Sequence, residues 1–454
     1  MNASKLVRWG IAPPITKDFL TRIQGLLDEG MTSKEVKTLF KAVAENPEDF
    51  VDHKSLGDLA IRVRDQTRFE EQVPPAPWKQ WGEDLDPAAV RQLENACRLP
   101  ISHSGALMPD AHRGYGLPIG GVLATKNAVI PYAVGVDIAC RVKLSVFDLP
   151  VEMIEEKGEV LAKALEEETR FGMGAHFDRP HDHPVLDEDW DVSPITSRFK
   201  QKARKQLGSS GGGNHFAEFG VLTLDDEELG LEPGRYLALM THSGSRGVGA
   251  TVANHYSKLA QDFHPELPRE LRHLAWLDLD SEAGQEYWAA MNLMGNYASA
   301  NHAVMHRQIA SHLGATVLAG VENHHNFAWK EEHHGEELIV HRKGATPAGE
   351  GVLGVIPGSM TEPAFVVRGK GDALSLESAA HGAGRVMSRS QAHKEIHWNQ
   401  VEKKLAESKV TLLSAGVDEA PQVYKDIEEV MAFQEDLVDP IARFQPRIVK
   451  MAAD

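Results

Sequence analysis

The chain has 454 residues, 42% of them hydrophobic and 25% charged, enough for one large domain or two to three ordinary ones with a sizeable core. No apolar run approaches the roughly 20 residues that span a bilayer, the N-terminus MNASKLVRWGIAPPITKDF has no apolar stretch of the secretory kind, and two cysteines make no disulfide framework; a reducing cytoplasm and no membrane are the expectation. A net charge of −18 argues against bulk electrostatic capture of nucleic acid and leaves room only for basic residues gathered in one groove.

Residues 1–75 are predicted as a helical extension. ITKDFLTRIQGLLDEGM spaces its apolar residues at helical intervals and ends at Gly30, and Thr32 or Ser33 can cap SKEVKTLFKAVAENP, which stops at Pro47. VPPAPWKQWGEDLDP, around 73–87, has the proline and tryptophan content of a linker or docking strap. From Leu107 the pattern changes. GYGLPIGGVLAT, AVIPYAVGVDIACRVKLSV, YLALMTHSGSRGVG, ELIVHRKGAT and AFVVRG predict short strands that end in glycine-rich loops. Helical patterns intervene at VEMIEEKGEVLAKALEEE and AGQEYWAAMNLMGNYASANHAVMHRQIASHL. The expected architecture is one α+β domain over 76–454, with mixed sheets around a deep cleft, preceded by the helical segment.

The chain carries 22 histidines, many beside Asn, Gly or Ser rather than in apolar periodic runs, a distribution that points to metal or phosphate chemistry. Asp137 and Cys140 in GVDIAC can converge at a turn, a hard oxygen with a soft sulfur able to bridge two ions; a buried structural cysteine is the plain alternative. His215 in GSSGGGNHFAEFG and His242 in LMTHSGSRGVG each sit where a strand meets a glycine-rich loop whose amides can cradle an anion. Of the adjacent His324 and His325 in NHHNF, only one can face a given site from extended backbone. His333 and His334 in EEHHGEE are expected to be solvated. One Asp, one Cys and three His could hold two divalent ions, zinc or manganese on donor chemistry alone. HGAGRVMSRSQAHK offers His381 followed by small residues, with Arg385 and Arg389 on one face if this is a helix start; a capped helix with surface arginines is the alternative. Arg342, Lys343 and Ser359 in HRKGATPAGEGVLGVIPGSM suit phosphate contacts. No Walker A sequence is present.

In order, MPDAHRGYGLPIGG, GVDIAC, GGGNHFAE, HSGSRG, GQEYWAAMNLMGNYASANH, HHNF, HRKGAT, IPGSM and HGAGRVMSR resemble the RtcB family of RNA-splicing ligases, from Met108 to about Lys394. The resemblance implies two Mn²⁺ ions held by Asp137, Cys140, His215, His242 and His325, with the thiolate bridging. It implies that His381 attacks the α-phosphorus of GTP with help from Asp110, and that Asn214, Glu218, Ser359, the Gly382–Ala383–Gly384 backbone and Lys450 contact the nucleotide. It further implies RNA with a 3′-phosphate or 2′,3′-cyclic phosphate and a 5′-hydroxyl as substrate, in repair or tRNA splicing, and leaves an activating protein partner open. Arg141, Arg246, Arg342, Arg385 and Arg389 could position RNA phosphates, or could be solvated surface residues. Two features depart from the family: Arg141 stands where it usually has Gly, and the helical segment has no counterpart in its core. A dinuclear metal phosphoesterase and a non-catalytic RNA-end binder are the competing readings.

Overall fold

The computed structural model describes residues 1–66, 69–333 and 335–453. Its N-terminal helices are Ala3–Val7, Pro13–Asp28, Ser33–Glu45 and Gly57–Gln66. Thr32 caps the third by a reciprocal box: its hydroxyl accepts from the Glu35 N–H, and the Glu35 carboxylate accepts from the Thr32 N–H at 2.7 Å. These helices close around their own core, in which Phe19 and Phe40 meet edge to face at 4.9 Å. Phe69 already packs against the core of the remaining chain, and the Gln72 and Ala76 N–H groups donate to the Arg98 and Cys97 carbonyls. The strap after it pairs Trp78–Gln80 in parallel with Gly105–Leu107 and buries Trp81, whose indole N–H reaches Asp436.

Two large sheets frame the rest. The first runs Trp78–Gln80, Ser102–Tyr115, Leu117–Thr125, Glu336–Lys343, Asn326–His333. The second runs Leu353–Pro357, Ala364–Gly369, Val438–Met451, Phe216–Leu224, Gly234–Ser243, Arg141–Phe147, Val317–His324, with Thr411–Ser414 added in parallel to Val438–Met451. The predicted strands and the two predicted helices are present, the latter as Met153–Glu156 with Gly158–Glu168 and as the 32-residue Glu282–Leu313. The mixed α+β class is as expected. No helix among the described residues is long and apolar enough to cross a membrane.

Register in the second sheet sets up the site. Phe216 pairs with His242, His242 with Val142, and Arg141 with both Ser243 and His324. Cys140 and His215 immediately precede their strands and His325 immediately follows its own, so four sequence-distant residues arrive at one level of one sheet end. Alternation then sorts the faces. Val142 and His242 face the cleft, while Arg141, Ser145, Thr241 and Ser243 bond on the side of helix Glu282–Leu313.

Candidate active site

A cleft of about 1190 Å³, open mouth included, lies where the two sheets meet. Its wall contains Asp137, Cys140, Asn214, His215, Glu218, His242, His325, Ser359, His381, Gly382, Ala383 and Gly384. All but two of the metal, nucleotide and catalytic residues that the family resemblance implies thus line it.

The exceptions are Asp110 and Lys450. Asp110 is fully buried behind the wall, where it is hydrogen-bonded to His381. Lys450 lies between Val449 and Met451, which line the cleft, so strand alternation turns it to the other face. There its ammonium donates to the Leu165, Glu166 and Thr169 carbonyls, at the end of helix Gly158–Glu168.

Potential ligand atoms form two clusters that share one sulfur. Asp137, Cys140 and His215 make the first; Cys140, His242 and His325 make the second. Cys140 Sγ lies 3.4 Å from His215 Nε2 and 3.0 Å from His242 Nε2; His242 and His325 bring their Nε2 atoms to 3.2 Å, and His215 Nε2 is 2.9 Å from Asp137 Oδ2. Burial, reinforced by His215, holds His242 down to about 3; burial with His381 and His242 holds His325 well below the ordinary value. Both rings are therefore neutral and ready to ligate. Burial and Asp137 push the Cys140 thiol well up, a cost that a bound cation would reverse by stabilising thiolate. Burial raises the Asp137 carboxyl, but His215 and Arg246 outweigh it and keep it below its ordinary value. The donor set fits a pair of divalent ions, with the thiolate common to both. Space is tight: a Cβ on Gly211 would lie 2.0 Å from His215 Nδ1, so glycine there admits the ring.

His381 completes the site. Its backbone N–H and ring Nδ1 both reach Asp110 Oδ2, and its ring lies 4.8 Å from that of His325. A carboxylate only accepts, so Nδ1 carries the proton, and in the corresponding neutral tautomer the Nε2 lone pair points away from Asp110. The loop is locked by Gly384, at φ +73°, where a Cβ would fall 2.1 Å from the Asp110 carbonyl oxygen. Glu218 faces the cleft from strand Phe216–Leu224, and burial pushes its carboxyl well above the usual carboxylate range.

Several expectations are corrected. His333 is buried, with Nε2 3.0 Å from Glu331, because it lies within strand Asn326–His333; His334 is outside the described residues. His324, in agreement with the expectation for adjacent residues in extended backbone, turns away from the site onto Phe327 and Trp329 while His325 faces it. Arg342 is wholly buried on Glu331, Ser378 and the Leu376 carbonyl, and buried Lys343 donates to the Tyr115 carbonyl at 2.6 Å; neither lines the cleft. Arg141 is buried away from solvent and does not line the cleft: it pairs with Glu322 and holds the Ala139 and Gly295 carbonyls. Arg246 is buried against Ser209 and the Gly172 carbonyl. Arg385 and Arg389 do line the cleft but share no helix, since the helix starts at Arg389.

Sequence reading missed the groups that hold these residues. Glu419 binds Arg385, Arg389 and the Tyr424 hydroxyl from a segment with no recognisable motif. His112, whose Nδ1 is 3.1 Å from the Asp110 carbonyl, lines the cleft two residues beyond Asp110. Behind the second sheet, His302 Nε2 must donate to the Ser243 carbonyl at 3.1 Å, because a carbonyl cannot donate. That fixes the rest: Thr241 Oγ1–H donates to His302 Nδ1 at 2.7 Å, His306 Nε2–H to Thr241 at 2.8 Å, and Ser145 Oγ–H to His306 Nδ1 at 2.8 Å. The chain of bonds ties the long helix to the two strands beside His242 and Cys140. Its only sequence signal is alternation of small hydroxyl residues with the ligand in MTHS.

An oriented imidazole beside two donor clusters that share a thiol defines a candidate metal centre suited to phosphate chemistry. The chain matches the family model described as tRNA-splicing ligase RtcB over residues 92–193 and 184–451. It is 34% identical to the RNA-splicing ligase RtcB of Escherichia coli strain K12, covering 81% of this chain and 95% of that protein. It is 32% identical to the tRNA-splicing ligase RtcB of Nanoarchaeum equitans, covering 78% and 90%, and 31% identical to RNA-splicing ligase RtcB homolog 1 of Entamoeba dispar, covering 76% and 78%. The chain belongs to the RtcB family.

Proposed function

We propose that the protein is a GTP- and manganese-dependent RNA ligase that joins 3′-phosphate or 2′,3′-cyclic phosphate ends to 5′-hydroxyl ends through a guanylate carried on His381. Family membership supports ligation of RNA, and the Asp110–His381 pair beside the shared thiol is the observation that supports this route. Asp137, Cys140 and His215 would hold one Mn²⁺, and Cys140, His242 and His325 the other; bound there, such ions neutralise phosphate charge and the departing pyrophosphate.

His381 Nε2 donates its electron pair to the α-phosphorus as the bond to the β-phosphate oxygen breaks, and pyrophosphate leaves with that electron pair. Asp110 keeps the Nδ1 proton and offsets the positive charge that develops on the ring. Glu218 faces the guanine N1–H and amino group as an acceptor, an arrangement adenine cannot satisfy. Asn214, Ser359 and the Gly382–Gly384 backbone line the remaining nucleotide space. Water opens a cyclic end to the 3′-phosphate. An oxygen of that phosphate then displaces the His381 nitrogen from the guanylate phosphorus. Last, the 5′-hydroxyl oxygen attacks the RNA phosphorus, GMP departs, and the hydroxyl proton is released. The sequence is chemically economical, because a phosphate becomes a good electrophile only once it bears a leaving group. In this reading residues 1–75 are a helical extension that precedes the catalytic domain over 76–454.

With Mn²⁺ and α-³²P-labelled GTP, label is expected on the protein and is chased onto RNA bearing a 3′-phosphate. Release of phosphate from such RNA with no labelled protein would favour the metal phosphoesterase instead.

A further inference from the structure

Beside the cleft is a second, shallower groove lined by Gln92, Arg113, Tyr115, Arg269, Glu270 and His273. Arg113 and Arg269 are both exposed, and neither forms an ion pair among the described residues. Two guanidinium groups without an ion pair thus stand at one groove, in a chain of net charge −18. Glu270 and Asp86, which accepts from the Arg113 N–H at 3.3 Å, are the carboxylates nearby.

Between the arginines stands Tyr115, 67% exposed, the most exposed tyrosine or tryptophan among the large apolar side chains at the surface. It is braced rather than free. Tyr132 and His273 meet its ring edge-on at 6.4 and 5.8 Å and stack on each other at 4.6 Å. The Lys343 ammonium holds its carbonyl at 2.6 Å, and the turn that follows presses Gly116 so close to His273 that a Cβ would fall 2.8 Å from the His273 carbonyl oxygen. A fixed aromatic ring open to solvent and flanked by unpaired guanidinium groups is the arrangement that binds single-stranded nucleic acid without regard to sequence.

Its position gives it a purpose. Strand Ser102–Tyr115 carries Asp110 behind His381, then His112 in the cleft wall, then Arg113 and Tyr115 in the groove. At about 3.3 Å per residue, Tyr115 lies roughly 10 Å along the strand from His112. Ile119, just past the same hairpin, lines the cleft.

We propose that this groove seats the single-stranded RNA nucleotides next to the end held in the cleft, with a base stacked on Tyr115 and flanking phosphates on Arg113 and Arg269. This rests on the RNA-ligase reading and adds to it the path the strand takes.

The test separates RNA binding from the nucleotide step. Tyr115→Ala, Tyr115→Trp and the double variant Arg113→Ala/Arg269→Ala are compared with the parent for self-labelling by GTP and for affinity toward a short single-stranded RNA with a 3′-phosphate. Self-labelling, which needs no RNA, is expected at the parental rate in all three and shows that the cleft is folded. RNA affinity is expected to fall about tenfold in Tyr115→Ala and to recover in Tyr115→Trp, in line with loss and return of one stacked base. In the double arginine variant the slope of log affinity against log salt is expected to shrink by about 1.4, at about 0.7 per phosphate contact. Parental RNA affinity and salt slope in normally self-labelled variants would overturn the proposal. A parent that labels with GTP but has no affinity for the RNA would overturn it too, whereas a parent that takes no label contradicts the His381 guanylate itself.

Discussion

Asp110 Oδ2 accepts two hydrogen bonds from His381, one from the backbone N–H at 3.2 Å and one from ring Nδ1–H at 2.6 Å. The first fixes where the residue sits, and the second fixes which nitrogen is free. Asp110→Asn keeps the size but replaces an obligate acceptor with a group that can also donate, so the ring can adopt the wrong tautomer. A loss of roughly 10³–10⁴-fold in the rate of guanylate formation is expected, as for other buried carboxylate–histidine pairs. Single-turnover labelling of the variant checks this, and a rate within a few-fold of the parent would remove Asp110 from the mechanism.

Cys140 belongs to both donor clusters, whereas His215 and His325 each belong to one. Metal content should therefore respond unequally. His215→Ala and His325→Ala are each expected to lower bound manganese by about half, and Cys140→Ser to lower it further than either. Elemental analysis after purification in Mn²⁺ measures it. Equal losses in all three variants would mean that the sulfur does not bridge.

Glu218 faces the cleft from a fully buried position, and burial favours its neutral form. Donors on guanine are what would draw out its carboxylate. Glu218→Ala is expected to weaken GTP selectivity over ATP by roughly 10–100-fold, the worth of hydrogen bonds to a charged group. Competition labelling with the two nucleotides reads it, and unchanged selectivity would place the base elsewhere.

Burial holds His302 down to about 3 and His306 well below its ordinary 6.5. The unfolded chain takes up these protons near 6.5, while the folded chain refuses them. Stability from the network is therefore complete above about pH 6.5 and drains as pH falls toward 3, by about 1.4 kcal/mol per pH unit for each ring. His302→Gln is expected to flatten the stability slope between pH 6 and 4 by one ring's share. Urea unfolding across that range measures it, and parallel slopes for parent and variant would show that the ring is not buried neutral.

The sequence made the chemistry-bearing residues legible more readily than what holds them. Asp137, Cys140, His215, His242, His325 and His381 stand in glycine-rich blocks whose order alone marks them, and all six meet in one cleft. Thr32 and the apolar spacing around it gave the N-terminal helices, because a capping box is a local signal. Strand pairing is not local. Nothing in MTHS says that Thr241 and Ser243 face a helix some 60 residues further on, nor in GVDIACRV that Arg141 points the same way. The solvated reading of His333 fails for a related reason: its charged neighbours describe a surface loop, but the residue closes strand Asn326–His333, is buried and meets Glu331. Lys450 was placed by motif alone, and strand alternation next to Val449 and Met451 turns it from the cleft.

The central claim is that one imidazole nitrogen of His381 becomes bonded to guanylate phosphorus. Intact mass spectrometry of the protein after incubation with Mn²⁺ and GTP, without RNA, tests it most directly. One added guanylate is predicted, absent in His381→Ala and present in His325→Gln only at reduced yield. An adduct of the same mass on His381→Ala would contradict the account.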